Sequence, residues 1–310
     1  MGRLVDGKWI KTSIITSDDD GAYDRIPRSF RDTISKDHDT FKPESGRYHL
    51  YVSYACPWAH RTLIYRKLKG LEEHISVSVV SPDMLDMGWT FETNISGATG
   101  DDLYGLNYLQ EIYTKADPEV STSVTVPVLW DKKTQRIVNN ESSEIIRIFN
   151  KEFNELTGNT DDYYPKELAS EIDELNDFIY PNINNGVYRS GFAKKQEAYE
   201  SAVTRLFDAL DKVEEKLEGN RFLLGERLTE ADLRLVPTLL RFDCVYVTHF
   251  KCNLKRIKDY KNLSRYLKEL YEMKAISETT NFEHIKRHYF YSHEDINPYR
   301  IVALGPSEII

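Results

Sequence analysis

A single cysteine lies at the junction between a predicted strand and a predicted helix, and this junction constrains the fold more than any other feature of the chain. Residues 48–53 alternate as a β-strand does, and Pro57, which has no N–H to leave unpaired, suits the first position of a helix. A cationic last turn reaches Lys69, and Gly70 supplies a helix stop. The sequence therefore predicts a helix from Pro57 to Lys69 with Cys56 as its N-cap.

The position of Cys56 predicts a reactive thiol with no partner thiol close by in the sequence. Unpaired backbone N–H groups and the positive end of the helix dipole favour a negatively charged sulfur there. The dipole contributes about 1 to 2 kcal/mol, which gives only partial ionisation, so hydrogen bonds or a cation must supply the rest. Ala59 stands where a dithiol redox centre would carry its second cysteine, so the resolving thiol must come from another molecule. The alternative is a buried cysteine that only packs.

Length, charge and cysteine content argue against several classes of protein. With 310 residues the chain is long enough for two domains, each with its own core. The net charge of -9 and the lack of a basic stripe argue against a nucleic-acid partner, and no segment resembles a membrane span or a secretion signal. Cys56, Cys244 and Cys252 are odd in number and far apart, which disfavours a disulfide scaffold or a zinc site and favours the cytoplasm.

The first half of the chain predicts an arm followed by an α/β domain. Residues 1–41 are polar, so we expect an extended N-terminal arm in which Asp18 to Gly21 form a solvated turn rather than a calcium loop. Residues 42–153 begin with a strand, a helix and a second strand at 75–80, which together make a βαβ unit. A long segment with one helix, a hairpin and a further helix from Glu141 complete this domain.

Pro127 and the start of the helix at Glu141 are candidate ligand-binding features. Pro127 interrupts an apolar run, and a cis bond at the entry of the strand would expose the carbonyl and N–H of Val126 to an extended, peptide-like ligand. Glu141 and Ser142 offer a carboxylate and several donors, which suit a ligand that carries both an ammonium and a carboxylate. A plain edge-strand proline and a simple helix-capping pair are the alternatives.

The second half of the chain predicts a bundle of helices. Residues 154–163 are read as a linker and residues 164–310 as an all-helical domain with a C-terminal tail. Thr229 to Asp232 form a capping box that opens a buried helix. His284 and His288 have the spacing of metal ligands on one helix face, but the glutamate of a zinc-protease motif is missing between them, and we expect no metal.

The chain resembles a glutathione transferase, because a thioredoxin-like half with a cis-proline candidate precedes an all-helical half with the Thr229 to Asp232 cap. This resemblance implies a mixed sheet in the α/β half. Longer motifs are similar to the xi-class, omega-like enzymes, the glutathionyl-hydroquinone reductases. These motifs are residues 51–61, 88–91, 125–130 and 140–142 in the first half, and 184–188, 246–252, 288–289, 292–293 and 296–298 in the second.

This resemblance implies a function and a role for each matching residue. Cys56 would take glutathione from a glutathionyl-hydroquinone as a mixed disulfide, and a second glutathione, the co-substrate, would release Cys56 as oxidised glutathione forms. Tyr188 and Tyr289 would donate hydrogen bonds to the oxygen of the aromatic substrate. The residues implied to bind glutathione are Trp89, Val126, Pro127, Glu141 and Ser142. The helical domain would bind the substrate and form a homodimer.

One departure from the family pattern and two other functions stay open. Ser123 stands where we expect the family's arginine, so glutathione binding here would be weaker or differently arranged if that arginine contacts glutathione in relatives. The same thiol would also serve a general glutathione-dependent thioltransferase or a dehydroascorbate reductase. A noncatalytic binding protein with this fold is the other alternative, although such a protein has no need of Cys56 at this junction.

Overall fold

The computed structural model describes residues 2–12, 16–17, 23–24 and 29–308 of the chain. These residues form two compact units. The first unit holds residues 2–12, 29–161 and 279–288, and the second holds 16–17, 23–24, 162–278 and 289–308. The turn expected at Asp18 to Gly21 lies outside the described residues.

Strands occur mainly in the first half of the described residues and helices mainly in the second. The strands are β1 (Gly2–Val5), β2 (Lys8–Lys11), β3 (Thr16–Ser17), β4 (Tyr23–Asp24), β5 (Tyr48–Val52), β6 (Ile75–Val79), β7 (Thr122–Ser123), β8 (Val128–Asp131) and β9 (Arg136–Asn139). The α-helices are α1 (Pro57–Leu68), α2 (Leu109–Ala116), α3 (Ser142–Lys151), α4 (Asn154–Thr157), α5 (Ala169–Ile179), α6 (Gly186–Gly191), α7 (Gln196–Lys216), α8 (Glu230–Arg241), α9 (Val247–His249), α10 (Lys261–Glu272), α11 (Lys274–Ser277) and α12 (Phe282–Ser292).

A four-stranded mixed sheet forms the centre of the first unit. Its spatial order is β6-β5-β8-β9, in which β5 and β6 run parallel and the other neighbouring pairs are antiparallel. Every residue of β5 is buried, as expected for a strand that is covered on both faces. The mixed sheet predicted from the sequence is confirmed.

Helix α1 follows β5 and is buried along most of its length. Its residues from Pro57 to Tyr65 are all buried, and the helix packs against α3. It ends at Leu68, with Lys69 as the C-cap residue, one position before the predicted end. The burial of its first turns fixes the residue that precedes Pro57.

The N-terminal segment is not the extended arm that we expected from its polarity. β1 and β2 form an antiparallel hairpin, and β1 also pairs with β7 to give a three-stranded sheet. The turn uses Asp6 and Gly7, whose φ angles are 48° and 69°. An Asp-Gly pair is a strong hairpin signal because a tight two-residue turn needs positive φ at both positions, and the overall polarity of the segment masked it.

A buried ion pair joins the start of β5 to the end of β8. The Arg47 Nε and Nη2 atoms donate to the two carboxylate oxygens of Asp131 at 2.8 and 2.7 Å. Burial acts to raise the pKa of Asp131, but hydrogen bonds from Arg47, Thr134 and the Lys133 backbone hold it below its usual value. Arg47 also pairs with Glu44 at 2.7 Å, but loss of Arg47 would leave the buried Asp131 carboxylate without its cation, so the pair favours the register that brings the two residues together.

The second unit is helical apart from the short pair β3 and β4, as predicted. Helix α8 begins at the predicted capping box, where the Asp232 carboxylate accepts hydrogen bonds from the Thr229 N–H at 2.9 Å and the Leu223 N–H at 2.9 Å. Tyr266 donates its hydroxyl to the same carboxylate at 2.9 Å. The Asp232 carboxylate is completely buried, and burial raises its pKa. The three donors replace the hydrogen bonds that the carboxylate would make to water.

The division into units differs from the expected domain bounds in two further places. Helix α4 occupies the beginning of the segment read as a linker. Residues 279–288, assigned by sequence to the helical domain, belong to the first unit. Within the described residues, every helix is too short or too polar to traverse a lipid bilayer.

Candidate functional site

Cys56 is the N-cap residue of α1, as predicted. Its backbone is extended, with φ -78° and ψ 120°, and its carbonyl accepts the first helical hydrogen bond from the His60 N–H at 3.0 Å. The thiol is partly exposed and its Sγ lies 3.7 Å from the carbonyl oxygen of Val126. The buried helix therefore presents one accessible sulfur beside the chain that enters β8.

Val126 lies at the entry of β8 and precedes a cis peptide bond to Pro127, as predicted. Tyr113 fixes the residue before it, because its hydroxyl donates to the Thr125 carbonyl at 2.8 Å and accepts from the Thr125 N–H at 3.2 Å. Among the described residues, the Val126 N–H has no hydrogen-bond partner. A buried N–H without a partner is rare, so this group is available to a ligand backbone that lies beside Cys56.

Glu141 and Ser142 lie at the start of α3. Glu141 is the N-cap residue, and its Oε1 accepts from the Ser143 N–H at 3.1 Å and the Ser143 hydroxyl at 3.0 Å. The Ser142 N–H belongs to the first turn and has no partner among the described residues. The carboxylate thus caps the helix, and the neighbouring backbone donor stays available for an anionic group.

Trp89 is buried and stacked on the imidazole of His288, with ring centroids 4.8 Å apart and planes 19° from parallel. His288 Nδ1 lies 2.9 Å from the Pro82 carbonyl oxygen, which can only accept, so Nδ1 carries the proton. The Trp89 carbonyl accepts from the Leu109 N–H at 3.0 Å. In the part of the chain that the structure describes, the indole N–H of Trp89 has no partner.

Three tyrosine hydroxyls form a hydrogen-bonded cluster in the second unit. The hydroxyl of Tyr289 lies 2.6 Å from that of Tyr188 and 3.0 Å from that of Tyr246. Tyr289 and Tyr246 are buried, and burial raises the pKa of both well above the usual value, so both are neutral donors at pH 7. Sequence reasoning found Tyr188 and Tyr289 but gave no role to Tyr246, although it lies within the family motif at 246–252.

The other residues considered from the sequence are not part of these arrangements. Cys244 and Cys252 are buried in the second unit, and burial raises the pKa of Cys252 to about 12, which leaves an unreactive thiol. His284 bonds the Ser96 carbonyl at 2.8 Å, so it and His288 have separate partners. The described residues contain no group of three or more His, Cys, Asp or Glu side chains placed to hold a metal ion.

Ser123, the departure from the family pattern, lies in β7. The residue directly opposite it in the antiparallel ladder is Arg3 of β1, whose side chain is exposed. Residues that face each other in such a ladder project from the same side of the sheet. A cation therefore stands across the strand pair from Ser123.

A thioredoxin-like unit with a cysteine at a helix start, joined to a helical unit, defines the class of glutathione transferases. Residues 55–152 match the family model described as Glutathione S-transferase, N-terminal domain. Residues 196–269 match the model described as Glutathione S-transferase, C-terminal domain. The fold class expected from the sequence is confirmed.

Similarity to individual proteins shows which class of glutathione transferase this chain belongs to. The chain is 54% identical over 313 residues to the glutathionyl-hydroquinone reductase YqjG of Escherichia coli K12, a match that covers 99% of this chain and 95% of that protein. It is similar to the crystal structure of the xi glutathione transferase from Phanerochaete chrysosporium, with a TM-score of 0.93, 54% identity and coverage of 95% and 96% of the two chains. It is also similar to the glutathione-bound structure of YqjG, with a TM-score of 0.91, 52% identity and coverage of 99% and 96%. The chain belongs to the xi class of glutathione transferases, the glutathionyl-hydroquinone reductase family.

The buried tyrosines predict how stability depends on alkaline pH. Their pKa values are higher in the folded than in the unfolded chain, so the stability they provide is fully present below about pH 10 and is lost as the pH rises further. We expect Tyr289→Phe to flatten this decline in unfolding midpoints measured from pH 8 to 11. The control Tyr299→Phe, at a side chain that is 86% exposed, should follow the wild type. Parallel alkaline losses in wild type and Tyr289→Phe would contradict the assignment.

Proposed function

We propose that the protein is a glutathione-dependent reductase that removes glutathione from glutathionyl-hydroquinones through a Cys56–glutathione mixed disulfide. The observation that carries the proposal is the position of Cys56, whose Sγ lies 3.7 Å from the Val126 carbonyl beside an N–H that lacks a partner among the described residues. The membership of the chain in the xi class supports the same reaction, since its E. coli relative is named as a reductase of this kind.

The first unit supplies the groups that would bind glutathione. The N–H and carbonyl of Val126, set apart from the ladder by Pro127, would pair with the backbone of the cysteinyl residue, which brings its sulfur to Cys56. The Ser142 N–H at the start of α3 would bind the γ-glutamyl carboxylate, and the Glu141 carboxylate its ammonium. The indole N–H of Trp89 would donate to a further oxygen of the tripeptide.

The first step transfers the glutathionyl group from carbon to sulfur. In its keto tautomer the conjugate carries the C–S bond next to a carbonyl. The thiolate of Cys56 attacks the glutathione sulfur, an S–S bond forms, the C–S bond breaks and the electron pair moves onto the carbonyl oxygen. Protonation of that oxygen gives the free hydroquinone, so the ring is reduced while the two sulfurs are oxidised to a disulfide.

The tyrosine cluster of the second unit would assist this step. Tyr188 and Tyr289 would donate hydrogen bonds to the oxygen that gains charge, and a preorganised donor of this kind is worth about 3 kcal/mol or more. Each hydroxyl has one proton, so the hydrogen bond between Tyr188 and Tyr289 would give way when both donate to the substrate oxygen, while Tyr289 would still accept from Tyr246. Tyr246 would thereby keep the donors oriented.

The second step regenerates the enzyme with a second glutathione. Its thiolate attacks the glutathionyl sulfur of the mixed disulfide, and the Cys56 thiolate leaves as oxidised glutathione forms. Ala59 occupies the position of a local resolving cysteine, and Cys244 and Cys252 are buried in the other unit. These features support an external thiol as the resolving partner.

We also propose that the enzyme is cytoplasmic and that it forms a homodimer. A cytoplasmic enzyme has the reducing pool of glutathione that both steps require, and the three cysteines of the chain are free thiols. We also propose the homodimer that the xi class implies, with the helical unit as its interface.

Replacement of the nucleophile tests the reaction. Cys56→Ala should reduce turnover of a glutathionyl-hydroquinone by about 1000-fold or more, because no other group can form the covalent intermediate. The variant should still bind glutathione in a calorimetric titration, since the binding groups are retained. Cys244→Ala removes a buried thiol and serves as the control with normal turnover. Unchanged turnover in Cys56→Ala would refute the mechanism, and absence of glutathione binding in the wild type would refute the function.

Replacement of a tyrosine distinguishes the reductase from a general thioltransferase or dehydroascorbate reductase. Tyr289→Phe should slow the reaction of an aryl conjugate by about 100-fold, because one donor to the developing oxyanion is lost. Exchange with a small alkyl disulfide forms no such oxyanion and should keep its rate. Equal losses on both substrates, with Tyr299→Phe unaffected, would favour the thioltransferase.

A further inference from the structure

The N-terminal hairpin holds an indole against the turn that precedes Trp89. Trp9 of β2 packs between Gly2 and Gly88: a Cβ atom added at Gly2 would lie 2.7 Å from its ring, and one added at Gly88 would lie 2.8 Å from it. The ring therefore touches the backbone of both glycines. Any larger side chain at Gly88 would displace it.

A hydrogen bond directs this contact. The indole Nε1 of Trp9 donates to the carbonyl oxygen of Asp86 at 2.9 Å. Lys11 also pairs with the Asp86 carboxylate at 2.8 Å, but both side chains are more than 60% exposed, and such pairs contribute little. The indole thus links the hairpin directly to the backbone of this turn.

The turn sets the start of the segment that carries Trp89. The Gly88 N–H donates to the Leu85 carbonyl at 2.9 Å, and Gly88 has φ 74°, a conformation that favours glycine. Trp89 follows directly, with its carbonyl held by Leu109 and one ring face held by His288. The turn is therefore a third support of Trp89, besides Leu109 and His288, and it contributes to the position of the indole N–H.

The same hairpin also holds the segment that leads to Val126. The Gly7 N–H donates to the Val120 carbonyl at 3.0 Å, and the Asp6 N–H donates to the Ser121 hydroxyl at 2.8 Å. Strand β1 then pairs with β7, three residues before Val126. One hairpin thus contacts two of the three chain segments that lead into proposed glutathione-binding groups.

We propose that Trp9 is a positioning residue for glutathione: it fixes the turn at residues 85–88 so that the indole N–H of Trp89 is already in place when the tripeptide binds. This inference rests on the proposed function, in which Trp89 contacts glutathione. A group that is held in its binding position before the ligand arrives loses less conformational entropy on binding. Without Trp9 the turn and Trp89 must be ordered by glutathione itself, which weakens binding without changing the chemical step.

Trp9 contributes little to a hydrophobic core, so its replacement should affect the turn at residues 85–88 more than the overall stability of the protein. It is the one residue of β2 that is partly buried, while Lys8, Ile10 and Lys11 are exposed. Its neighbour Ile10 is 46% exposed and projects from the other face of the strand, so Ile10→Ala is a matched control within the hairpin.

The experiment compares turnover as a function of the concentration of a glutathionyl-hydroquinone, at saturating free glutathione, in the wild type, Trp9→Ala, Trp9→Phe and Ile10→Ala. Trp9→Ala should raise the half-saturating concentration of the glutathionyl-hydroquinone by about five-fold, comparable to the loss of one hydrogen bond, with kcat retained. Trp9→Phe keeps a ring against Gly88 but lacks the N–H to Asp86, so an intermediate increase is expected. Ile10→Ala should match the wild type.

A spectroscopic readout separates positioning from a general loss of stability. In ¹⁵N-labelled protein, the indole N–H signal of Trp89 should shift or broaden in Trp9→Ala. The indole of Trp130, which donates to the Tyr104 hydroxyl at 3.0 Å, should keep its signal.

Two results would overturn the inference. A lower unfolding temperature with an unchanged half-saturating concentration and an unchanged Trp89 signal would make Trp9 a structural residue only. A loss in kcat alone would place its effect on the chemistry instead. Failure of the wild type to bind glutathione would refute the proposed function itself, so the two failures are distinguishable.

Discussion

The start of α1 is the structural constraint on which the position of the reactive thiol depends. The helix is buried from Pro57 to Tyr65, so the residue before it has a fixed position, and that residue is Cys56. Its sulfur lies 3.7 Å from the Val126 carbonyl, next to an N–H that lacks a partner among the described residues. A tripeptide thiol that paired with Val126, as proposed, would thereby be brought to Cys56 by backbone geometry. The proposed function follows from that placement because disulfide exchange needs the two sulfurs in contact.

The proposed binding and the proposed reaction would use different parts of the structure. The groups proposed to bind glutathione are mainly backbone N–H groups at the ends of elements, and they are held by neighbours such as Tyr113 and the cap formed by Glu141. The groups proposed for the aromatic substrate are tyrosine hydroxyls that bond one another at 2.6 and 3.0 Å. Donors of both kinds are held close to their proposed working positions before charge develops, which would suit a reaction that moves an electron pair onto oxygen.

The features that act through their own local backbone could be predicted from the sequence. The helix start was predicted from Pro57, the cis bond from Pro127, and the buried helix from the capping box at Thr229. The structure confirms each of these predictions. Features that depend on distant pairing were missed. Strand β7 has only two residues and pairs with β1, which lies more than a hundred positions earlier in the chain. Tyr246 belongs to the tyrosine cluster through its hydrogen bond to the hydroxyl of Tyr289, 43 residues later in the chain. The Asp6–Gly7 turn is a local signal that the sequence contains, but the prediction of an extended arm was based on the polarity of the whole segment.

Attack by Cys56 on the glutathione sulfur is tested most directly by a single turnover without free glutathione. The enzyme is mixed with excess glutathionyl-hydroquinone, and both the released hydroquinone and the mass of the protein are followed. Attack by Cys56 predicts a rapid burst of one hydroquinone per protein chain and one glutathione retained on Cys56, after which the reaction stops until glutathione is added. If no hydroquinone is released until free glutathione is present, the attacking thiol belongs to glutathione and not to Cys56, which would contradict the account.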